Sequence, residues 1–391
     1  MGLTSGIFTW LMIAAAAGSL TAIVWAWPRL AGQRLAALTG RLTALAGAQV
    51  LVIAAFLVWL NGYFAFYASW GQLLGSPPPR MAAAVTGTGA GLPLTGLTIV
   101  RSGPGPVPWG SAMPLAAAPG SATGPGELGA LPVAGELLQV ELHGQRTGLG
   151  SGPGYVYLPP QYFQPAYTRT RFPVLLALTG YPGQAGNLVR QLGLPAMAAR
   201  LAALGRIRPA VLVMLNVSPL MPMDTECTDA PGGPQVESFY AQDVPAAIER
   251  AFRVTASPRG WGVLGYSTGG YCAAKLAMMY PSRFSAAVSL AGYYDAEWGY
   301  ALRHQWGGSA SYRDENNLAW RLRHLPAPPV SLLVTSSRVG ELSLPGTLSF
   351  LRLIHPPMRG YSLIVPQGGH NFRTWARELP QSLEWLSRRL S

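Results

Sequence analysis

The chain has 391 residues, 49% of them hydrophobic and only 11% charged, with a net charge of +12. That composition excludes a disordered chain and is too poor in charge for an ordinary cytosolic enzyme. The basic excess comes without an aromatic-interleaved basic helix or zinc-finger spacing, so a nucleic-acid partner is excluded as well.

Met1 to Pro28 carry no charge, and Ile7 to Trp27 form an apolar stretch of about the twenty residues that span a bilayer core. A second uncharged stretch, Leu45 to Tyr67, ends in clustered Trp and Tyr, as at a membrane interface. Two transmembrane helices are predicted over 1–75. A cleaved signal peptide is the alternative for the first stretch, but it would begin with positive charge. A buried core helix is the alternative for the second. Arg29, Arg34 and Arg41 lie between the stretches. The positive-inside rule keeps that short loop cytoplasmic and sends all that follows residue 75 across the cell membrane.

Residues 76–134 are rich in Gly, Pro, Ala and Ser, as in Pro77-Pro78-Pro79. They read as a linker, with short strands such as Leu97 to Val100. From 135 to 391 the pattern is that of a folded domain. Strands are predicted at Leu137–Leu142, Gly154–Leu158, Val174–Leu178, Val211–Leu215, Gly262–Leu264, Ala286–Leu290, Val330–Val334 and Tyr361–Val365. Helical patterns fall between them at Asn187–Leu204, Phe239–Ala251, Gly270–Met279, Leu342–Leu353 and Phe372–Leu390. Short runs apolar on both faces, alternating with helices, make the class α/β with a mainly parallel central sheet.

Gly265-Tyr266-Ser267-Thr268-Gly269 follows one apolar strand and opens a helix. A strand-to-helix elbow needs small residues on either side of its serine, and it lifts the hydroxyl above the sheet. Ser267 is therefore the candidate nucleophile. A serine needs a base. Of five histidines, only His370 follows the last strand, in Gly368-Gly369-His370-Asn371. The chain order serine, acid, histidine fits it. Two carboxylates could orient the imidazole: Glu341, after the Val330–Val334 strand, and Asp295, after the strand before it. Glu341 is favoured. The oxyanion needs two donors. Thr268 N–H and Tyr181 N–H, the latter in Thr179-Gly180-Tyr181-Pro182-Gly183, are the candidates.

These motifs resemble the putative-esterase branch of the α/β hydrolases, which includes esterase D, ferulic-acid-esterase-like enzymes and the actinobacterial mycolyltransferases. The resemblance runs from about Gly135 to Leu390. It rests on Val156-Tyr157-Leu158-Pro159-Pro160-Gln161-Tyr162, the Thr179-Gly180-Tyr181 loop, the elbow, and the ending Gly368-Gly369-His370-Asn371-Phe372-Arg373-Thr374-Trp375. It implies the α/β-hydrolase fold and serine acyl chemistry, and a Glu acid at the position of Glu341. The elbow sequence and the two spans depart from the mycolyltransferases.

The only cysteines, Cys227 and Cys272, should both lie near the carboxyl edge of the sheet, either as a disulfide or as two buried thiols. Asp224, Glu226 and Asp229 share a loop, but their spacing matches no calcium site. Trp298, Trp306, Tyr312 and Trp320 belong either to a substrate-lining lid or to ordinary core. No metal or cofactor is called for. Three functions stay open: an esterase acting on a small-molecule or lipid ester, an acyltransferase delivering to a sugar or lipid hydroxyl, and a non-catalytic envelope protein.

Overall fold

A computed structural model describes residues 5–30, 32, 34–64, 70, 96–104, 135–295 and 306–391. The chain divides into two compact units, Met1–Ala82 and Ala83–Ser391.

The first unit is a pair of long apolar helices, α1 (Gly6–Ala26) and α2 (Leu35–Phe64). A Cβ added to Gly62 would lie 3.7 Å from Thr9 Oγ1, so the end of α2 returns to the start of α1. Ala16, Ala48 and Ala55 are buried, while Trp10, Val24, Val50, Ile53 and Phe56 are exposed. Small residues let the two backbones approach, and the large apolar side chains face outward. Both helices are long and apolar enough to cross a membrane.

The second unit is built on a nine-stranded sheet. Its strands are β1 (Leu97–Pro104), β2 (Glu136–His143), β3 (Gly150–Leu158), β4 (Val174–Leu178), β5 (Val211–Leu215), β6 (Trp261–Tyr266), β7 (Ala286–Leu290), β8 (Ser331–Val339) and β9 (Arg359–Gln367). The order across the sheet is β1-β2-β3-β5-β4-β6-β7-β8-β9. Pairing is antiparallel from β1 to β5 and parallel from β5 through β9. Every residue of β4, β5, β6 and β7 is buried, which accounts for their unbroken apolar runs. Each such Val or Leu contributes roughly 1.5–3 kcal/mol on burial. The fold is that of the α/β hydrolases.

The helices of this unit are α3 (Ala185–Arg190), α4 (Leu194–Ala203), α5 (Val244–Ala251), α6 (Thr268–Met279), α7 (Ala310–Asn316), α8 (Leu318–His324), α9 (Leu344–Leu351) and α10 (Phe372–Ser387). The pleat separates two of them. Leu386 and Leu390 lie against Gly262, while the next residue, Val263, shares a core with Tyr271, Ala273 and Leu276 of α6.

Two predicted elements differ. The single helix expected over Asn187–Leu204 is broken into α3 and α4, because Gly193 adopts φ +67 and ends one helical run before the next begins. The helix expected over Phe239–Ala251 carries one π turn, Phe239–Asp243, ahead of α5. Within the segment read as a linker, 97–104 is an edge strand paired with β2; residues 76–95 and 105–134 lie outside the described residues.

The register brings the parallel strand ends together. Leu178 pairs with Gly265, Tyr266 with Leu290, and Leu290 with Thr335. The segments that follow β4, β6, β7, β8 and β9 therefore leave from one carboxyl edge.

Candidate active site

Ser267 sits between β6 and α6 with φ 57 and ψ −126. Such a conformation costs a non-glycine residue about 1–3 kcal/mol and needs surroundings that enforce it. They are present. Ser267 N–H donates to Leu290 O at 3.0 Å, and Ser267 O accepts from Gly270 N and Tyr271 N at 2.8 and 3.1 Å. The flanking glycines are required by space. A Cβ on Gly265 would lie 2.1 Å from Gly269 O, and one on Gly269 would lie 2.2 Å from Thr179 O.

His370 lies between β9 and α10. Gly368 N–H donates to Val339 O at 3.0 Å, Gly369 N–H donates to Thr374 Oγ1 at 2.9 Å, and Asn371 caps the helix by accepting from Thr374 N at 3.1 Å. The loop is thus pinned on both sides of the imidazole. His370 Nε2 is 2.9 Å from Ser267 Oγ. Nδ1 is 3.3 Å from each oxygen of Glu341. The Glu341 side chain is 3% exposed and that of His370 37%. Glu341 also accepts from Ser343 N–H at 3.4 Å. Gly340, at φ +96, brings the two loops into contact; a Cβ there would lie 2.1 Å from Gly368 O.

Of the two carboxylates read as candidates, Glu341 faces the imidazole. Asp295 lines a separate cleft of about 220 Å³ with Tyr293, Arg323, Leu342, Ser343 and Phe350, among others.

Gly180 follows β4 so closely against the serine that a Cβ on it would lie 2.9 Å from Ser267 Cβ. That places Tyr181, the next residue, beside the nucleophile. Its hydroxyl donates to Pro222 O. Thr268 is the first residue of α6, where a helix leaves its backbone N–H groups without intrahelical partners and sets the positive end of its dipole. The arrangement can withdraw a proton from the serine, hold the resulting imidazolium beside a carboxylate, and present N–H groups to a developing oxyanion.

Cys227 and Cys272 are joined in a disulfide, with Cα atoms 5.5 Å apart. Cys227 thereby ties its loop to the first turns of α6. The preceding Glu226 accepts from Tyr293 Oη at 2.6 Å. Asp224 Oδ1 accepts from Glu226 N–H, and Asp229 holds Ser238. These acids serve the loop's own structure. Among the described residues, no group of His, Cys, Asp and Glu is arranged to hold a metal.

The aromatic segment divides. Trp298 lies outside the described residues. Trp306 is buried, Tyr312 donates to Asp229 O at 2.5 Å, and Trp320 stacks on His324 at 4.4 Å. Two residues around the site escaped sequence reasoning: Lys275 and Glu378. Both are buried, and each sits at a helical position that gives no local signal of its partner across the fold.

Residues 151–331 match the family described as "Putative esterase". Ser267, Thr268 and Tyr181 fall inside that span; Glu341 and His370 fall beyond it. An uncharacterized protein of Corynebacterium glutamicum is 23% identical over 268 residues, or 65% of this chain and 62% of that protein. The chain thus spans less than two thirds of the length of that relative. Among solved structures, an S-formylglutathione hydrolase from Agrobacterium tumefaciens superposes with a TM-score of 0.56 at 19% identity, covering 66% of this chain and 97% of that one. A ferulic acid esterase gives 0.55 at 17%, covering 65% and 98%. FphF, a fluorophosphonate-binding serine hydrolase of Staphylococcus aureus, gives 0.52 at 18%, covering 65% and 98%. At these identities the structural likeness establishes the fold.

Proposed function

We propose that this chain, whose residues 151–331 match the family described as "Putative esterase", is a membrane-anchored serine esterase whose catalytic unit faces away from the cytoplasm. The observation that carries the reading is one imidazole between two partners: His370 Nε2 lies 2.9 Å from Ser267 Oγ while Nδ1 lies 3.3 Å from Glu341.

The mechanism follows from that geometry. Ser267 Oγ attacks the ester carbonyl carbon as its proton passes to His370 Nε2. Glu341 holds Nδ1–H and stabilises the imidazolium. The carbonyl oxygen becomes an oxyanion, held by the N–H groups of Thr268 and Tyr181. Collapse breaks the bond to the alcohol, which leaves with the proton from His370. Water then gives a proton to His370 and its oxygen attacks the acyl-serine. Collapse returns the proton to Ser267 and releases the acid.

Two features support the location. The arginines between the apolar helices, Arg29, Arg34 and Arg41, favour a cytoplasmic connection. A disulfide between Cys227 and Cys272 suits an oxidising compartment. The substrate is a small-molecule or lipid ester.

The experiment is fluorophosphonate labelling of the full chain in detergent, beside Ser267→Ala, followed by a chain-length series of nitrophenyl esters. Wild type should label and Ser267→Ala should not. An unlabelled wild type, or equal labelling of both, defeats the proposal.

A further inference from the structure

The residue before the nucleophile packs against both the loop after β4 and the helix that follows the base. Tyr266 is 4% exposed. Its ring stacks on Trp375, with centroids 4.5 Å apart and planes at 26°. It meets Phe372 edge-on at 5.0 Å. Trp375 in turn stands edge-on to His370, at 5.1 Å and 87°. On its other side Tyr266 fills the space beside the loop after β4. A Cβ on Gly180 would lie 2.9 Å from Tyr266 Cε2, and one on Gly183 would lie 2.7 Å from its hydroxyl oxygen. One ring is therefore wedged between the helix that follows the base and the loop that carries Tyr181.

We infer that Tyr266 is a positioning residue: its ring, clamped by Trp375, sets the imidazole of His370 and the Tyr181 loop in register with Ser267. The inference rests on the serine-esterase reading above and adds to it what holds the parts together. The physical case is one of linkage. Ser267, His370 and Tyr181 come from three loops that share no backbone. Ser267 is joined to Tyr266 by a peptide bond, so a change at the ring that displaces the Tyr266 main chain moves the hydroxyl as well. Stacked aromatic rings in a dry core are stiff, because close packing leaves them no alternative arrangement. A smaller side chain would leave Gly180 and Trp375 without their common wall. Both loops could then relax inward by a fraction of an ångström. A misplacement of about 1 Å costs on the order of a hundredfold in rate.

The test uses the full chain in detergent with p-nitrophenyl acetate and a fluorophosphonate. Tyr266→Leu removes the ring and Tyr266→Phe keeps it. The expected result is a fall in kcat of roughly 10- to 100-fold for Tyr266→Leu with KM nearly unchanged, and a parallel fall in the labelling rate. Tyr266→Phe should recover most of that loss. A folded Tyr266→Leu protein with wild-type kcat overturns the inference, as does a loss confined to KM. So does a Tyr266→Phe protein as slow as Tyr266→Leu, since the hydroxyl would then matter rather than the ring. Should Tyr266→Leu fail to fold, Trp375→Phe carries the test, with a lowered kcat at constant KM expected and wild-type kcat overturning. In each of these cases wild type still labels and the esterase reading stands. A wild type that does not label removes both.

Discussion

Lys275 and Glu237 form an ion pair 3.0 Å long with both side chains sealed from water, at 0% and 4% exposure. Lys275 Nζ also donates to Cys227 O at 2.8 Å and to Thr228 Oγ1 at 2.9 Å. All three of its donors are thus used, which is the condition under which a buried ammonium is tolerated. The pair ties α6, the helix of the elbow, to the short helical turn Val236–Ser238 and to the disulfide loop. Desolvation lowers the Lys275 pKa, and Glu237 opposes that shift.

Breaking this pair from one side should be costly. Lys275→Ala leaves the Glu237 carboxylate buried and uncompensated, and about 3–5 kcal/mol of stability should be lost. Replacing both partners, as Lys275→Met with Glu237→Leu, should recover most of it. Urea unfolding of the two variants beside wild type measures the difference. A single variant as stable as wild type would show that water reaches the site.

The disulfide should matter on a similar scale. It links residues 45 apart in the chain, and a loop of that length restricts the unfolded state by about 3–4 kcal/mol. Cys272→Ala should lower the melting temperature, and a reductant should lower that of wild type but not of the variant. A wild type indifferent to reductant after unfolding in its presence would place the stability elsewhere.

The two candidate acids separate by mutation. Glu341 faces His370 Nδ1, whereas Asp295 lines the neighbouring cleft. Glu341→Gln should reduce kcat by roughly 10²–10⁴-fold, since the imidazole loses both its orientation and its counter-charge. Asp295→Asn should stay within about twofold of wild type, on the usual scale for a group outside the reacting atoms. Steady-state kinetics on one nitrophenyl ester decides between them, and the reverse pattern would transfer the role to Asp295.

Stability should fall as pH rises from about 4 to neutrality, through Glu378. This carboxyl on α10 is 1% exposed and accepts from Thr335 Oγ1 at 2.6 Å. Burial pushes its pKa up to about 7, the Thr335 hydrogen bond opposes the shift, and the charge of Glu341 adds to it. An unfolded glutamate titrates near about 4.3. The folded state therefore holds its proton more tightly. Its contribution is full below about pH 4 and is lost as pH rises through 7, by about 4 kcal/mol in all. Glu378→Gln should flatten the stability profile between about pH 4 and 7. Denaturant titrations across that range check the slope, and parallel profiles for the two proteins would count against the assignment.

Much of this molecule could be read along the chain. The bounds of Val174–Leu178, Val211–Leu215 and Ala286–Leu290 coincide with β4, β5 and β7, because a strand buried on both faces announces itself as an unbroken apolar run between turn residues. The turns that carry Ser267 and His370 were legible for a related reason. Gly265, Gly269 and Gly368 mark turns that only small residues permit, and chain order then pairs one turn with the other. The interruption at Gly193 was missed because the apolar spacing continues through both α3 and α4, and a single positive φ leaves no trace in periodicity.

What the sequence determined by itself was local. It specified which stretches are strands, which turns are tight, and which long apolar helices suit a bilayer, since each depends on neighbours a few residues away. The tertiary structure decided which distant groups meet. It brought Glu341 rather than Asp295 to the imidazole, joined Cys227 to Cys272, and set Lys275 against Glu237. It also wedged Tyr266 between Trp375 and Gly180. Each of these meetings depends on strand order and on the direction a loop leaves the sheet. Those are fixed by packing the whole chain against itself, so no window of adjacent residues contains them.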